Sequence, residues 1–255
     1  MTGRIILITG AGSGLGAELA RQIAASGDYP ILAGRSREKL ERVSTTIPQP
    51  HQLVELDVTN DGITRVLQDL IRDHGRIDVL INNAGLGYFQ PLQNLSLQQI
   101  TEMMDVNYLG TVRMTQLLLP QMLAQQGGHI INIASAAGYV ATAKGTGYAA
   151  SKHAVIGFTH ALQEELRRQP IHISLVNPGP IRTPFFKRAD PSGKYVERLK
   201  GWILEPEQVA KQVVHLIQNP KREIYIPRAI RWGYIAMLLF PRLYHRLVAP
   251  FVNRK

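Results

Sequence analysis

The chain has 255 residues, 45% of them apolar, enough for one well-buried α/β domain without a split into two. It contains no cysteine, which excludes a disulfide scaffold, thiolate metal sites and a cysteine nucleophile, and no metal is expected. The net charge of +10 is local, since residues 1–179 carry 14 basic and 14 acidic side chains but residues 180–255 carry 15 and 5; this points to a localised anionic partner rather than to nucleic acid.

In chain order, Met1-Thr2-Gly3-Arg4 lacks the apolar core and small-residue cleavage site of a signal peptide, and Ile5 to Thr9 reads as a first strand. A cytoplasmic location, free or in association with a membrane, is the expectation. Further short apolar runs read as strands at Pro30 to Ala33, Gln52 to Leu56, Val79 to Asn82, His129 to Ala134, Ile171 to Asn177 and Glu223 to Ile226. Helix-length amphipathic patterns separate them, near residues 15–26, 36–46, 61–74, 97–125, 149–168 and 206–218. Strands alternating with helices predict a parallel sheet covered on both faces. The right-handed crossover rule makes this a doubly wound, Rossmann-like, three-layer α/β/α fold in a single domain.

Two segments stand apart from that alternation. Residues 178–204 carry Pro178, Gly179, Pro180, Pro184, Pro191 and Gly193 among many charges, a long excursion of the kind that serves as a substrate lid. The tail, 228–255, is basic and aromatic, with Trp232, Tyr234, Phe240, Leu243, Tyr244 and Phe251 interleaved with Arg231, Arg242, His245 and Arg246. Its longest uncharged run, Trp232 to Pro241, is too short for the ~30 Å of a bilayer core, and Pro241 would break a helix. Three uses remain open for it: lying in a membrane interface, capping an apolar substrate pocket, or packing against the core or a second subunit.

The chemistry concentrates at four places. Thr9-Gly10-Ala11-Gly12-Ser13-Gly14-Leu15-Gly16 follows the first strand and opens the first helix, where glycines let backbone N–H groups approach a pyrophosphate. The end of the second strand reads Ala33-Gly34-Arg35-Ser36-Arg37. It offers no carboxylate for a ribose 2′-OH, but Arg35 suits a 2′-phosphate. Tyr148 and Lys152 are four apart on one helical face, so an ammonium can favour the phenolate of a residue whose free pKa is about 10. Ser135 ends the fifth strand as a hydrogen-bond donor, and Asn107 falls inside a predicted helix, where Asn needs a reason.

In this order the residues resemble the short-chain dehydrogenase/reductase family over residues 4–226. Its Thr-Gly-x-x-x-Gly-x-Gly turn is met at Thr9, Gly10, Gly14 and Gly16, its adenine-side Asp at Asp57-Val58, and its Asn-Asn-Ala-Gly motif at Asn82 to Gly85. The resemblance implies a tetrad of Asn107, Ser135, Tyr148 and Lys152, with Lys152 also holding the nicotinamide ribose and Asn107 helping to order a relay water. It implies cofactor contacts from Gly10, Ser13, Gly14, Leu15, Gly16, Arg35, Asp57, Val58, Asn83 and Gly85. Its Pro-Gly segment, Pro178-Gly179-Pro180-Ile181-Arg182-Thr183, would hold the carboxamide through Ile181 and Thr183. Gly34-Arg35 is similar to NADP-preferring members, although Ser13 stands where some of them carry a second basic residue in the glycine turn.

The expectation is thus an NADP(H)-dependent oxidoreductase working on a carbonyl or secondary alcohol carbon, with Tyr148 as general acid or base. An apolar and basic region after residue 180 suggests a hydrophobic ketone, aldehyde or alcohol as substrate. The family resemblance implies a homodimer or homotetramer through helices near 97–125 and 149–168. A second reading is a non-catalytic module that senses NADP(H) and docks on a partner or membrane through its tail.

Overall fold

The computed structural model describes residues 3–60, 62–193, 197, 201–242 and 246. Seven strands form one sheet: β1 (Ile5–Thr9), β2 (Tyr29–Gly34), β3 (Gln52–Glu55), β4 (Val79–Asn82), β5 (Gly128–Ile133), β6 (Ile171–Pro178) and β7 (Glu223–Ile226). Every pairing is parallel and the order is β3-β2-β1-β4-β5-β6-β7. Side chains alternate across a strand, so a sheet covered on both faces needs apolar residues at successive positions. β1 shows it: Ile6 and Ile8 enter one core, Ile5 and Leu7 the other.

The first face is covered by α1 (Gly14–Ala25), α2 (Arg37–Ser44) and α8 (Pro206–Gln218), through Leu15, Leu19 and Ile23, Leu40 and Val43, and Val209 and Val213. The second is covered by α3 (Ile63–His74), α4 (Leu97–Met104), α5 (Gly110–Ala124) and α6 (Thr146–Glu165). In α3, Ile63, Leu67 and Leu70 repeat at helical spacing, and Gly75 stops the helix with φ +74°. Strand order reverses between β1 and β4, and their carboxyl ends frame the crevice where ligands enter such sheets.

Three segments differ from their sequence patterns. The stretch expected as one helix over 97–125 is α4 and α5 joined by a π-helical turn at Asp105–Leu109. The extra residue in that turn swings Asn107 inward. Gly110 follows it because a Cβ there would lie 2.7 Å from Val58 Cγ2. The excursion after β6 closes on itself: Ile181 and Leu204 form a parallel bridge, and a short helix, α7 (Phe185–Ala189), lies within the loop. The tail begins as a helix, α9 (Ala229–Leu239), which ends ahead of Pro241. Leu243, Tyr244, His245 and Phe251 lie outside the described residues.

Candidate active site

A cavity of about 1410 Å³ opens along the carboxyl edge of the sheet. Of the residues singled out from sequence, Gly10, Ser13, Gly14, Leu15, Arg35, Asp57, Val58, Asn83 and Gly85 line it. So do Ser135, Tyr148, Lys152, Pro178, Gly179, Ile181 and Thr183. Gly16 and Asn107 do not, and each has a packing role behind the wall.

The glycine turn is built from backbone that other residues would not allow. Gly10 and Gly14 have φ of +68° and +55°, and a Cβ on Gly10 would stand 2.9 Å from Ala84 Cα. Ser13 caps α1 without turning its side chain onto the helix, and the first turn carries no acid. The first N–H groups of a helix have no intrahelical acceptor, so this end of the cavity favours an anion and fits a phosphate-bearing nucleotide. At Gly16 the requirement is space: a Cβ would meet Gly10 O at 2.4 Å and Asn83 Nδ2 at 2.6 Å. Gly16→Ala is expected to lower unfolding free energy by about 1–3 kcal/mol in a urea titration. An unchanged midpoint would show that the turn can shift without loss.

Beside the turn, Thr9 joins β1 to β4. Its Oγ1 accepts from Asn83 N and Ala84 N, both at 3.0 Å, and Asn83 Nδ2 donates to Thr9 O at 2.9 Å. The side chain of Asn83 is thus a brace between strand ends, although the residue also borders the cavity. At the far end Asp57 Oδ1 accepts from Thr59 N and Thr59 Oγ1, an Asx turn that fixes the carboxylate. Arg35 stands over it, Nη1 3.9 Å from Oδ2, with more than half of its side chain exposed. A pair that long and open binds the guanidinium weakly, so Arg35 can turn to a better anion.

Four groups meet at the middle of the cavity edge. Lys152 is 5% exposed and donates from Nζ to Ile133 O at 2.8 Å. Burial pushes its ammonium down to about 8. Nζ lies 6.0 Å from the centre of the Tyr148 ring, as the i, i+4 spacing on α6 requires. Ser135 opens a 3-10 turn at Ala136–Gly138; its Oγ accepts from Ala137 N at 3.1 Å, which orients the hydroxyl at the cavity wall. Gly85 is needed here too, because a Cβ would lie 3.3 Å from Asn107 Oδ1 and 3.5 Å from Lys152 Nζ.

Asn107 explains the π-helical turn. Its Oδ1 accepts from Leu86 N at 2.8 Å, and its Nδ2 donates to Leu86 O at 2.9 Å and to Ser151 Oγ at 2.8 Å. Ser151 Oγ donates in turn to Tyr148 O, which ties the loop after β4 to the helix that carries Tyr148 and Lys152. Sequence reasoning passed over Ser151, although it stands next to Lys152 and a small hydroxyl at a buried helical position signals a partner.

The other end of the cavity is apolar. The Tyr148 ring has Phe89 at 5.4 Å and Phe185 at 5.5 Å, and Phe186, Trp202 and Ile230 also face the space. Gly87 makes room for them: a Cβ would lie 2.8 Å from Phe185 Cζ and 3.0 Å from Tyr148 Cδ2. Phe89 and Phe185 carried no motif, yet the paired aromatics after Pro184 were a visible signal. A polar latch holds α7 here, with Phe89 N donating to Ala189 O at 2.7 Å and Arg188 donating to Tyr88 Oη and Glu102.

Comparison with known proteins identifies the fold and the family. A family model described as short chain dehydrogenase matches residues 4–193. An uncharacterised oxidoreductase of Staphylococcus aureus is 33% identical over 223 residues, covering 87% of this chain and 94% of the relative. Among solved structures, the closed form of a serine dehydrogenase complexed with NADP+ superposes with a TM-score of 0.80 at 29% identity, covering 87% of this chain and 93% of the other. A Burkholderia phymatum short-chain dehydrogenase/reductase in complex with NAD gives a TM-score of 0.84 at 27% identity, with 93% and 95% covered. With the parallel sheet, the glycine turn and the Ser135, Tyr148 and Lys152 group in one cavity, these matches make the chain an oxidoreductase of the short-chain dehydrogenase/reductase family.

Proposed function

We propose that the protein is an NADP(H)-dependent carbonyl reductase or alcohol dehydrogenase for a hydrophobic ketone, aldehyde or secondary alcohol, acting in the cytoplasm. The observation that carries this reading is the convergence of the glycine turn, Arg35, Ser135, Tyr148 and Lys152 on one cavity whose remaining walls are aromatic. When bound, the cofactor supplies or accepts a hydride at nicotinamide C4. The chain's residues do the rest. N–H groups of the turn around Gly14, Leu15 and Gly16 receive the pyrophosphate, Asp57 and Val58 border the adenine, and Arg35 pairs with the 2′-phosphate.

Asn83 and Gly85 line the nicotinamide half, Lys152 holds its ribose, and Pro178, Gly179, Ile181 and Thr183 orient the carboxamide. Ser135 donates to the substrate oxygen and holds it against Tyr148, which delivers the proton in reduction and removes it in oxidation. Asn107 keeps Leu86 and Ser151 in place around this centre. Residues 1–227 act as the catalytic unit, the 178–204 loop covers the substrate end, and residues 228–255 form a C-terminal tail whose Ala229, Ile230 and Gly233 add to the cavity wall. The assembly is a homodimer or homotetramer through α4, α5 and α6.

Fluorescence titration with NADPH and NADH tests the cofactor assignment. Wild type is expected to prefer NADPH, and Arg35→Ala to weaken NADPH binding by about 10- to 100-fold, the worth of hydrogen bonds to a charged group. NADH affinity should not move. Equal binding of both nucleotides by wild type, or an Arg35→Ala variant that keeps the preference, overturns the 2′-phosphate assignment.

A further inference from the structure

Helix α9 has no buried residue, although Arg231 is the only charged side chain among its eleven. A helix that is apolar on all sides is ordinarily buried in protein or in lipid. Two of its faces are accounted for: Ala229, Ile230 and Gly233 line the cavity, and the Tyr234 ring lies 4.4 Å from that of Tyr139. Tyr139 directly follows the turn opened by Ser135, and it donates to Glu223 on β7, so α9 is seated firmly on the catalytic edge. The remaining face carries Trp232, Ala236 and Leu239 at i, i+4 and i+7, all exposed, a single outward stripe flanked by Leu238.

Trp232, Leu238, Leu239 and Phe240 are 58–68% exposed, and Trp202, on the loop before α8, is 75% exposed. Those five are most of the exposed large apolar side chains among the described residues. Trp202 also lines the cavity, so the outer apolar surface continues into the mouth of the site. Exposed apolar area of this extent marks a docking surface.

Charge decides what docks there. From Arg228 to Lys255 the sequence has six basic residues and no Asp or Glu. Arg228, Arg231 and Arg242 are exposed, and among the described residues none of them forms an ion pair. A second copy meeting this surface about a two-fold axis would set these cations against their own images. An anionic bilayer offers acyl chains to Trp232 and Leu239 and headgroups to the arginines. The helix is about 16 Å long, half of what a bilayer core of ~30 Å requires, so it lies in the membrane plane. Among the described residues no helix is long and apolar enough to cross a membrane.

We propose that α9 and Trp202 dock the protein on an anionic lipid bilayer with the cavity mouth turned to the lipid, so that an apolar carbonyl substrate enters from the bilayer. Delivery rests on the function proposed above; docking does not.

The test is flotation of the full chain with phosphatidylcholine vesicles and with vesicles that also contain phosphatidylglycerol. Wild type should float with the anionic vesicles, less so as salt rises, and hardly with the neutral ones. A Trp232→Glu/Leu239→Glu double variant should lose vesicle affinity by about tenfold or more while NADPH titration and turnover of a small water-soluble ketone stay at wild-type levels. Its turnover of a long-chain ketone dissolved in the anionic vesicles should fall by a similar factor. Failure of wild type to float, equal flotation of the variant, or a wild-type dimer that the double substitution makes monomeric overturns docking. Intact flotation with no ketone turnover by wild type overturns the proposed function and leaves docking standing.

Discussion

Tyr148→Phe is expected to lower kcat for ketone reduction about a thousandfold, within the range that general acid catalysis contributes, while NADPH affinity stays near wild type. The substitution removes one oxygen and keeps the ring, whose packing against Phe89 and Phe185 and whose position on α6 are unchanged. On the proposed mechanism Ser135 still donates to the substrate oxygen, and the glycine turn around Gly10 and Gly14 is untouched. What goes is the proton that must arrive as the carbonyl becomes an alkoxide. Steady-state turnover beside a fluorescence titration of NADPH separates the two effects. A variant as fast as wild type would move the acid role to another group; a loss of NADPH binding equal to the loss of rate would make Tyr148 a binding residue.

The sheet was legible because its central strands are buried on both faces. Runs such as Ile5-Ile6-Leu7-Ile8 admit no polar residue, and their bounds in the structure fall within a residue or two of the sequence reading. The glycine turn was legible for a different reason: glycines at Gly10, Gly14 and Gly16 are demanded by backbone angle or by space, and such demands leave a fixed spacing in the chain. The break at Asp105–Leu109 was not. Its apolar periodicity runs on through α4 and α5, and the cause is tertiary, the reach of Asn107 to the backbone of Leu86, which lies 21 residues earlier. The aromatic end of the cavity was hidden likewise, since Phe89, Phe185, Trp202 and Ile230 meet only after the loop after β4, the 178–204 segment and α9 have come together. Helix α9 was obscured by its composition. An apolar run beside Pro241 lacks the alternation of faces that identifies a surface helix, because both its inner and outer faces are apolar.

Lys152→Met should make the protein more stable and less active at once. Burial holds the folded-state pKa near 8, against 10.5 for the unperturbed side chain. Below pH 8 both folded and unfolded chains carry the proton, and the folded state bears the full cost of keeping an ammonium out of water. For a shift of this size that cost is about 3 kcal/mol. Between pH 8 and 10.5 the unfolded chain binds more protons than the folded one, so the cost declines as pH rises, and above that window it is gone. Methionine has similar length and no charge, and it gives up one hydrogen bond to Ile133 O, worth about 1 kcal/mol. The variant is therefore expected to gain about 2 kcal/mol at pH 7 and to lose that advantage by pH 10.5, as read from urea unfolding at both values. Turnover at pH 7 should fall by about 100-fold or more, because on the proposed mechanism the acid at Tyr148 loses the cation beside it. A variant less stable than wild type at pH 7 would mean that the buried ammonium is stabilised in the fold rather than tolerated there. The expected pairing of higher stability with lost turnover follows from the position itself: a buried ammonium held by a hydrogen bond to Ile133 O costs the fold stability, and on the proposed mechanism it serves the reaction.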